Sequence, residues 1–173
     1  MPLKEFVSGE VFPFLGKDYR LKVIPSSRVG KDRCRLGHGR FLVEVESGPG
    51  AKAFKDGIRQ ALIDWYIHRA SETIPERVAF YSQRMGQAPR GIQIKNHRSL
   101  WGSCSSKGVI RFNWKLIMAP LPLMDYVVVH ELCHLVHPRH SRLFWTKVEA
   151  IIPDHKKRRC SLRQYGSMMA VFD

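Results

Sequence analysis

The first fifty residues contain two stretches in which apolar and polar positions alternate, as in strands that bury one face. They are DYRLKVI (Asp18–Ile24) and GRFLVEVE (Gly39–Glu46), and glycine, proline and serine residues bound both. SGPG (Ser47–Gly50) then interrupts the alternation with residues that favour turns. We therefore predict a β-rich segment over residues 1–50.

A helical period follows over residues 51–86. The positions three and four residues apart that form one predicted face are Phe54, Ile58, Leu62, Trp65, Tyr66 and Arg69. Pro75 lies within this stretch and cannot donate a helical hydrogen bond, so either the helix kinks there or a second helix begins. GQAPRG (Gly86–Gly91) ends the helical pattern. The aromatic residues of the face are predicted to pack in the core.

The segment from Gly91 to Pro120 returns to the alternation that is typical of strands. IQIK and VIRFNWKL alternate, and SCSSKG between them consists of turn-forming residues, so we predict a strand, a loop and a strand. Leu121–Val136 is helical in pattern, and Pro122 is acceptable in the first turn of such a helix.

A break at Pro138 separates this helix from a later one. Ser141 is the predicted N-cap of the later helix, and Pro153 ends it. Its apolar face is formed by Phe144, Val148 and either Ile151 or Ile152. The order β, α, β, α predicts an α+β fold. We expect either an N-terminal β-rich subdomain over residues 1–50 followed by a domain over 51–173, or one compact domain.

The helix Leu121–Val136 carries the densest group of ionisable residues. VVVHELCHLVHPRH holds four histidines and one glutamate within fourteen residues. His130, Glu131 and His134 form H-E-x-x-H, and residues four apart lie on one face of a helix, one turn from each other. Two imidazoles so arranged can coordinate one zinc ion about 2.0–2.1 Å away. Glu131 points elsewhere around the helix, where a glutamate can act as general base on water.

A catalytic zinc ion usually has three protein ligands and one open position. His140 is the natural third ligand, because it follows His134 by six residues and the break at Pro138 lets the chain turn back. This offset matches the third histidine of H-E-x-x-H-x-x-G-x-x-H peptidases, although His137 stands at the glycine position here. His137 is the alternative third ligand.

A helix whose histidines are only hydrogen-bonded is the alternative without a metal. It would leave the Glu131 carboxylate beside three valines, at a cost of several kcal/mol if the carboxylate is charged and unpaired. A metal ion with its water supplies the missing partner, so we favour a metal site. Cys133 is predicted to be a packing residue, and His97 and His155 are predicted to lie at the surface or beside the ligands.

The chain is strongly basic, with 29 Lys and Arg against 15 Asp and Glu and a net charge of +14. Residues 1–86 hold 15 basic and 10 acidic groups, whereas residues 87–173 hold 14 and 5. The densest cluster is HKKRRCSLR (His155–Arg163). Such a surface attracts nucleic acid, nucleotides or acidic proteins.

The four cysteines are far apart and include no C-x-x-C pair, so we predict reduced thiols rather than disulfides or a four-thiolate zinc site. No apolar stretch is long enough to span a membrane. The N-terminal MPLKEFVSGEVF lacks the apolar core of a secretory signal. We therefore expect a cytoplasmic protein without a membrane partner.

Three segments resemble the YgjP-like metallopeptidases, metal-dependent hydrolases of the SprT-like and zincin type. They are RSLWGSCSSKGVIRFNWKLIMAP, DYVVVHELCHL and RHSRLFW, in that order, and GKDYRLKV and WYIHRA are also similar. The resemblance thus covers nearly the whole chain. It implies a zincin-like catalytic half, in which a small mixed or antiparallel sheet precedes the H-E-x-x-H helix. It also implies that His130, His134 and His140 bind the metal and that Glu131 is the catalytic glutamate.

In this family, an extended peptide or protein substrate is expected to pair with an edge strand above the metal. By resemblance, that strand is part of GVIRFNWKL or its partner. Zinc is the expected cofactor, and other divalent transition metals also suit imidazole ligands. Glu131 is expected to pass the proton of the attacking water to the leaving amine. Tyr165, His97 and nearby arginines are candidate donors to the oxyanion.

Two other functions stay open. A metal-dependent nucleotide pyrophosphatase or phosphohydrolase fits the basic surface, although the chain has no evident carboxylate cluster for magnesium. A nucleic-acid-associated protein with a structural zinc would need a fourth ligand, from Cys133 or His137. A peptidase recruited to DNA by its basic C-terminal region combines the two properties.

Overall fold

A computed structural model describes residues 4–27, 30, 33–46 and 50–172, leaving out the side chains of residues 167–169. This part of the chain forms seven strands, four α-helices and two 3₁₀ helices. In chain order they are β1 (Val11–Phe14), β2 (Lys17–Ser26), β3 (Cys34–Gly37), β4 (Arg40–Glu46), α1 (Ala51–Met85), β5 (Gly91–Lys95), β6 (Gly102–Cys104), β7 (Val109–Asn113), a first 3₁₀ helix (Trp114–Met118), α2 (Leu121–His134), α3 (Arg142–Ile151), α4 (His155–Gln164) and a second 3₁₀ helix (Tyr165–Ala170). The α+β class is confirmed. Most of the predicted break, Ser47–Pro49, lies outside the described residues.

The four N-terminal strands form one mixed sheet with the order β1-β2-β4-β3. β2 and β4 are parallel, and the outer pairs are antiparallel. The alternation predicted for β4 is observed, since Phe41, Val43 and Val45 are buried and the residues between them are less so. This inner face packs against α1, where the Tyr66 hydroxyl donates to the Pro13 carbonyl at 2.6 Å.

Helix α1 runs unbroken for 35 residues through Pro75, so no second helix begins there. Ile74 and Val78 are buried on either side of the proline, and their packing offsets the hydrogen bond that proline removes. Arg69, at the end of the predicted face, is half-buried, and its guanidinium pairs with Glu72 at 2.8 Å. Gly86 ends the helix in the left-handed conformation, at φ 63°.

The second sheet has the order β5-β7-β6 and contains a strand that the sequence did not reveal. Gly102–Cys104, part of the predicted loop, pairs antiparallel with β7 and leaves Ser105–Gly108 as the turn. The strand predicted for VIRFNWKL is too long. It ends at Asn113, whose side chain accepts a hydrogen bond from the Lys115 N–H and thereby caps the first 3₁₀ helix.

The first 3₁₀ helix connects the second sheet to α2 and rests on the N-terminal sheet. The N–H groups of Leu15 and Gly16 donate to the carbonyls of Ile117 and Met118 at 2.9 and 3.0 Å. Gly16 has φ +76° and lies so close to Pro120 that an added Cβ would be 2.6 Å from the Pro120 Cγ. The start of α2 is therefore fixed by the β1–β2 turn.

The C-terminal helices cover α2. Helix α2 ends at His134, two residues before the predicted end at Val136. Ser141 caps α3 as predicted, since its hydroxyl accepts from the Phe144 N–H. Ile152, just beyond α3, is buried and completes the apolar face. Helix α4 was not predicted, because its residues are almost all polar and only His155 and Leu162 are buried.

Candidate metal centre

Helix α2 and the turn after it bring three imidazoles to one point. The Nε2 atoms of His130 and His134 are 3.2 Å apart, as expected for ring atoms one helical turn from each other. The Nε2 of His140 lies 3.1 Å from that of His134 and 3.0 Å from that of His130. The structure thus unites the three residues that the spacing singled out.

The turn between α2 and α3 determines where His140 lies. After His134, the N–H groups of residues 135, 136 and 137 donate to the carbonyls of Leu132 and Cys133, and the helix ends. The His140 ring then stacks on Trp145 of α3, with centroids 5.5 Å apart and an interplanar angle of 21°. Phe144 meets the same ring edge-on at 4.8 Å. Packing thus holds the exposed third histidine in position.

The hydrogen bond of His134 supports a metal in the centre of the three rings. Its Nδ1 lies 3.0 Å from the His137 carbonyl oxygen. Because a carbonyl only accepts, Nδ1 carries the proton and Nε2 carries a lone pair. Nitrogen lone pairs that converge in this way can bind one cation. A metal ion about 2.1 Å from each nitrogen at tetrahedral angles would hold them about 3.4 Å apart. The observed separations of 3.0–3.2 Å are slightly shorter than this, and one ion can still reach all three nitrogens.

Burial favours the neutral, ligating form of these imidazoles. Burial, followed by the neighbouring His134, His140 and Arg159, lowers the pKa of His130 to about 3. The pKa of His140 is also lowered, mainly by burial and then by His134 and Arg159. In the described part of the chain, the group of side chains close enough to share an ion is these three histidines.

Glu131 lies next to the three histidines and is largely shielded from solvent by protein atoms. Its side chain is buried, at 5% exposure, and burial raises its pKa to about 8. Gly102 of β6 packs directly on it, because an added Cβ would lie 2.9 Å from both Cγ and Oε1 of Glu131. Sequence reasoning missed Gly102, since nothing local in WGSC indicates contact with a helix thirty residues later.

Two cavities meet at this centre, and both are lined by Gly102, His130 and Glu131. The hairpin-side cavity, of about 870 Å³, extends along the β6–β7 turn to His140. The α4-side cavity, of about 550 Å³, extends between α2 and α4. The candidate centre therefore lies in the middle of a cleft that is open on both sides.

Arginines line the α4-side cavity and were not predicted individually. Arg159 and Arg163 come from α4, and Arg98 comes from the loop before β6. The basic cluster of residues 155–163 was visible in the sequence. The sequence did not show which face of the helix turns toward the candidate metal centre, because the segment has no clear apolar period. In the structure, that face carries Arg159 and Arg163.

Other candidate residues lie away from the ion position. His137 contributes its carbonyl to His134 and is not part of the three-histidine group. Cys133 is fully buried, and burial raises its thiol pKa to about 11, as expected of a packing residue. His155 is buried, and its ring stacks on Trp145 with the ring centroids 5.5 Å apart. Of the two positions predicted for it, the one at the surface was therefore wrong.

The two named oxyanion candidates, Tyr165 and His97, line neither cavity. The His97 carbonyl instead accepts a hydrogen bond from the Asn113 side chain at 2.8 Å. All four cysteines lie in the described part of the chain and are unpaired, as predicted. None of the described helices is both long enough and apolar enough to cross a membrane.

Comparison with known proteins agrees with the geometry. The model of the family "YgjP-like, metallopeptidase domain" matches residues 1–165. A similar solved structure is the metallopeptidase zymogen abylysin of Pyrococcus abyssi, with a TM-score of 0.50 and 20% identity. The match covers 53% of this chain and 93% of that one, and at this identity it shows a shared fold. The curated proteins contain no match. The resemblance seen in the sequence is confirmed, and the chain belongs to the YgjP-like metallopeptidase family.

Proposed function

We propose that this protein is a zincin-type peptidase in which His130, His134 and His140 hold one zinc ion and Glu131 is the general base. The observation that carries the proposal is the triangle of Nε2 atoms, 3.0–3.2 Å on each side, next to a buried glutamate. Three protein donors leave a coordination position free, whereas structural zinc sites are closed by four protein ligands. Another divalent transition metal is the alternative ion, because imidazole suits several.

When bound, zinc supplies Lewis acidity, which polarises a carbonyl and acidifies water. The work of the chain is to hold and move a proton. The Glu131 carboxylate accepts a proton from the attacking water and donates it to the leaving amine nitrogen. Burial raises the pKa of Glu131, so this side chain takes up a proton more readily than an exposed carboxylate does. Gly102 holds the carboxylate in place and leaves it little room to rotate away.

The free edge of β6 is the proposed binding site for an extended peptide. β7 is the central strand of its sheet, so the open edges belong to its two partners, β5 and β6, and β6 is the one that packs against Glu131. Trp101 and Ser105 bond to β7, through Asn113 N to Trp101 O and Ser105 N to Val109 O, each at 2.9 Å. By the alternation of an antiparallel ladder, the N–H and C=O groups of Gly102 face the open edge beside Glu131.

Glu131→Gln tests the proposal. Glutamine keeps the shape but cannot accept the proton, so we expect peptide turnover to fall about 10²- to 10⁴-fold while bound metal stays unchanged. Glu149→Gln is the matched control, because Glu149 is exposed on α3 and lines neither cavity. Metal content and kcat/KM on a peptide library are measured for both variants. Equal activity in Glu131→Gln and the native protein would remove Glu131 from its proposed role.

A nucleotide phosphohydrolase is the second candidate, favoured by the arginines of the α4-side cavity. Guanidinium groups bind phosphates well. Phosphate release from nucleoside triphosphates, measured on the same metal-loaded protein, separates the two.

A peptidase recruited to DNA is tested with the exposed basic residues of α4. Neutralising Lys156 and Lys157 should weaken salt-sensitive DNA binding without changing peptide turnover.

A further inference from the structure

The α4-side cavity differs in charge from an ordinary peptide groove. Arg159 and Arg163 lie one turn apart on α4, and Arg98 joins them from the loop before β6. Among the residues lining this cavity, Glu131 carries the single carboxylate. The cavity is therefore strongly electropositive beside the bond to be cut.

These arginines are not neutralised within the described part of the chain. Their neighbour Arg158 pairs with Asp154 at 2.9 Å, whereas no such carboxylate partner is found for Arg98, Arg159 or Arg163. The guanidinium of Arg159 lies over the Trp145 ring at 5.2 Å from its centroid. Stacking of this kind holds a guanidinium by its face and leaves its N–H groups free to donate.

The remaining walls suit a peptide side chain. Trp101, Val127 and Leu162 contribute apolar surface, and the volume of about 550 Å³ accommodates two or three side chains. The cavity begins at Gly102, the residue of β6 whose backbone edge is the proposed binding site for the substrate. A peptide on that edge would therefore direct a neighbouring side chain toward the arginines.

We propose that the α4-side cavity is a specificity subsite for a carboxylate, so that the enzyme prefers peptides with an acidic residue or a free C-terminus beside the scissile bond. Arg98, Arg159 and Arg163 are the residues that bind the carboxylate. This inference rests on the proposed peptidase function. The three arginines are exposed, so screening by water limits each contact. We expect a combined preference of about 10- to 100-fold in kcat/KM for an acidic over an isosteric neutral residue.

Peptides that differ at single positions test the proposal. Asp, Asn and Lys are compared at each position flanking the scissile bond, and a free C-terminal carboxylate is compared with its amide. The native metal-loaded protein gives kcat/KM. The Glu131→Gln protein, loaded with zinc, gives binding by fluorescence anisotropy, so selectivity is measured even without turnover. The double variant Arg159→Gln/Arg163→Gln and the single variant Arg98→Gln are then compared with the native protein.

The matched control is the double variant Lys156→Gln/Lys157→Gln. Like the arginine double variant, it removes two positive charges from α4, but from exposed positions that line neither cavity. We expect the arginine variants to lose the preference for acidic over isosteric neutral peptides, to within about threefold of unity, in both binding and cleavage. The lysine control should keep the preference.

Three results would overturn the proposal. The first is the absence of any acidic preference in binding to Glu131→Gln. The second is an equal loss in the lysine control, which would indicate the general field of a basic protein. The third is tighter binding of a nucleoside triphosphate through the same arginines without discrimination among peptides. Failure of the proposed function looks different, because then no peptide, neutral or acidic, is cleaved by the metal-loaded native protein.

Discussion

Replacement of Gly102 by alanine isolates the positioning of the proposed general base. Gly102 lies in β6, and an alanine Cβ there would be 2.9 Å from both Cγ and Oε1 of Glu131 and 3.1 Å from its Cδ. Its backbone does not lie in the left-handed region, so alanine can adopt it without strain. The three atoms that lie nearest to the added Cβ all belong to Glu131, so the substitution acts first on that side chain.

The overlap sets the size of the effect. Ordinary contacts begin near 3.4 Å, so the glutamate must retreat by about half an ångström at two atoms, and its carboxylate moves by about 1 Å. A displacement of this size costs about 100-fold in rate, or about 2.7 kcal/mol of transition-state stabilisation. The free energy of unfolding falls by less than this, because a flexible side chain moves and the backbone does not. An off-rotamer glutamate costs about 0.5–1.5 kcal/mol, or a fall in Tm of roughly 1–6 °C.

The assay compares kcat/KM, bound metal and Tm for Gly102→Ala with those of Gly91→Ala. Gly91 is also a strand glycine, but there an added Cβ would meet Val109 at 3.9 Å, an ordinary contact. We expect Gly102→Ala to lose about 100-fold in kcat/KM with one metal ion retained per chain, and Gly91→Ala to lose little. Full activity in Gly102→Ala would refute the role of Gly102. Loss of the metal would show that the glycine supports the histidines instead.

Three further predictions concern the supports of the site. Gly16→Ala forces a Cβ to 2.6 Å from the ring of Pro120 at φ +76°, and we expect it to lower the free energy of unfolding by about 2–4 kcal/mol. Thermal unfolding should show a much smaller loss for Gly39→Ala, which has φ +69° but no atom within 4 Å of the added Cβ. Trp145→Ala removes the ring that stacks on the third histidine, so chelator competition should show about tenfold weaker metal binding, restored in Trp145→Phe. Removal of the metal should lower Tm only by the amount that the free energy of metal binding contributes to stability. The far-UV circular dichroism at 25 °C should stay that of a folded protein, because apolar packing buries α2. Unfolding on chelation would instead indicate a structural zinc.

The candidate metal-binding residues were predictable because their arrangement is local. The helical period brings the rings of His130 and His134 together whatever the rest of the chain does. His140 required one further step, a turn at Pro138, and the sequence marked that turn. The same locality explains why β2, β4 and α3 were found with nearly correct limits.

Features that depend on distant contacts were missed. β6 is three residues long, and it is a strand because β7 pairs with it rather than because of its own pattern. Gly102 and the arginines of α4 acquire their roles only when β6, α2 and α4 are packed together. Pro75 shows the converse case, since a strong local signal for interruption was overridden by buried residues on both sides.

The central claim, one metal ion on three imidazoles with a free position, is tested most directly by X-ray absorption at the metal edge of the purified protein, with the metal quantified. We predict one ion per chain, three nitrogen neighbours at about 2.0–2.1 Å and a fourth, light neighbour from solvent. A sulfur neighbour at about 2.3 Å, or four protein donors, would contradict the claim. So would a protein that takes up no metal at all.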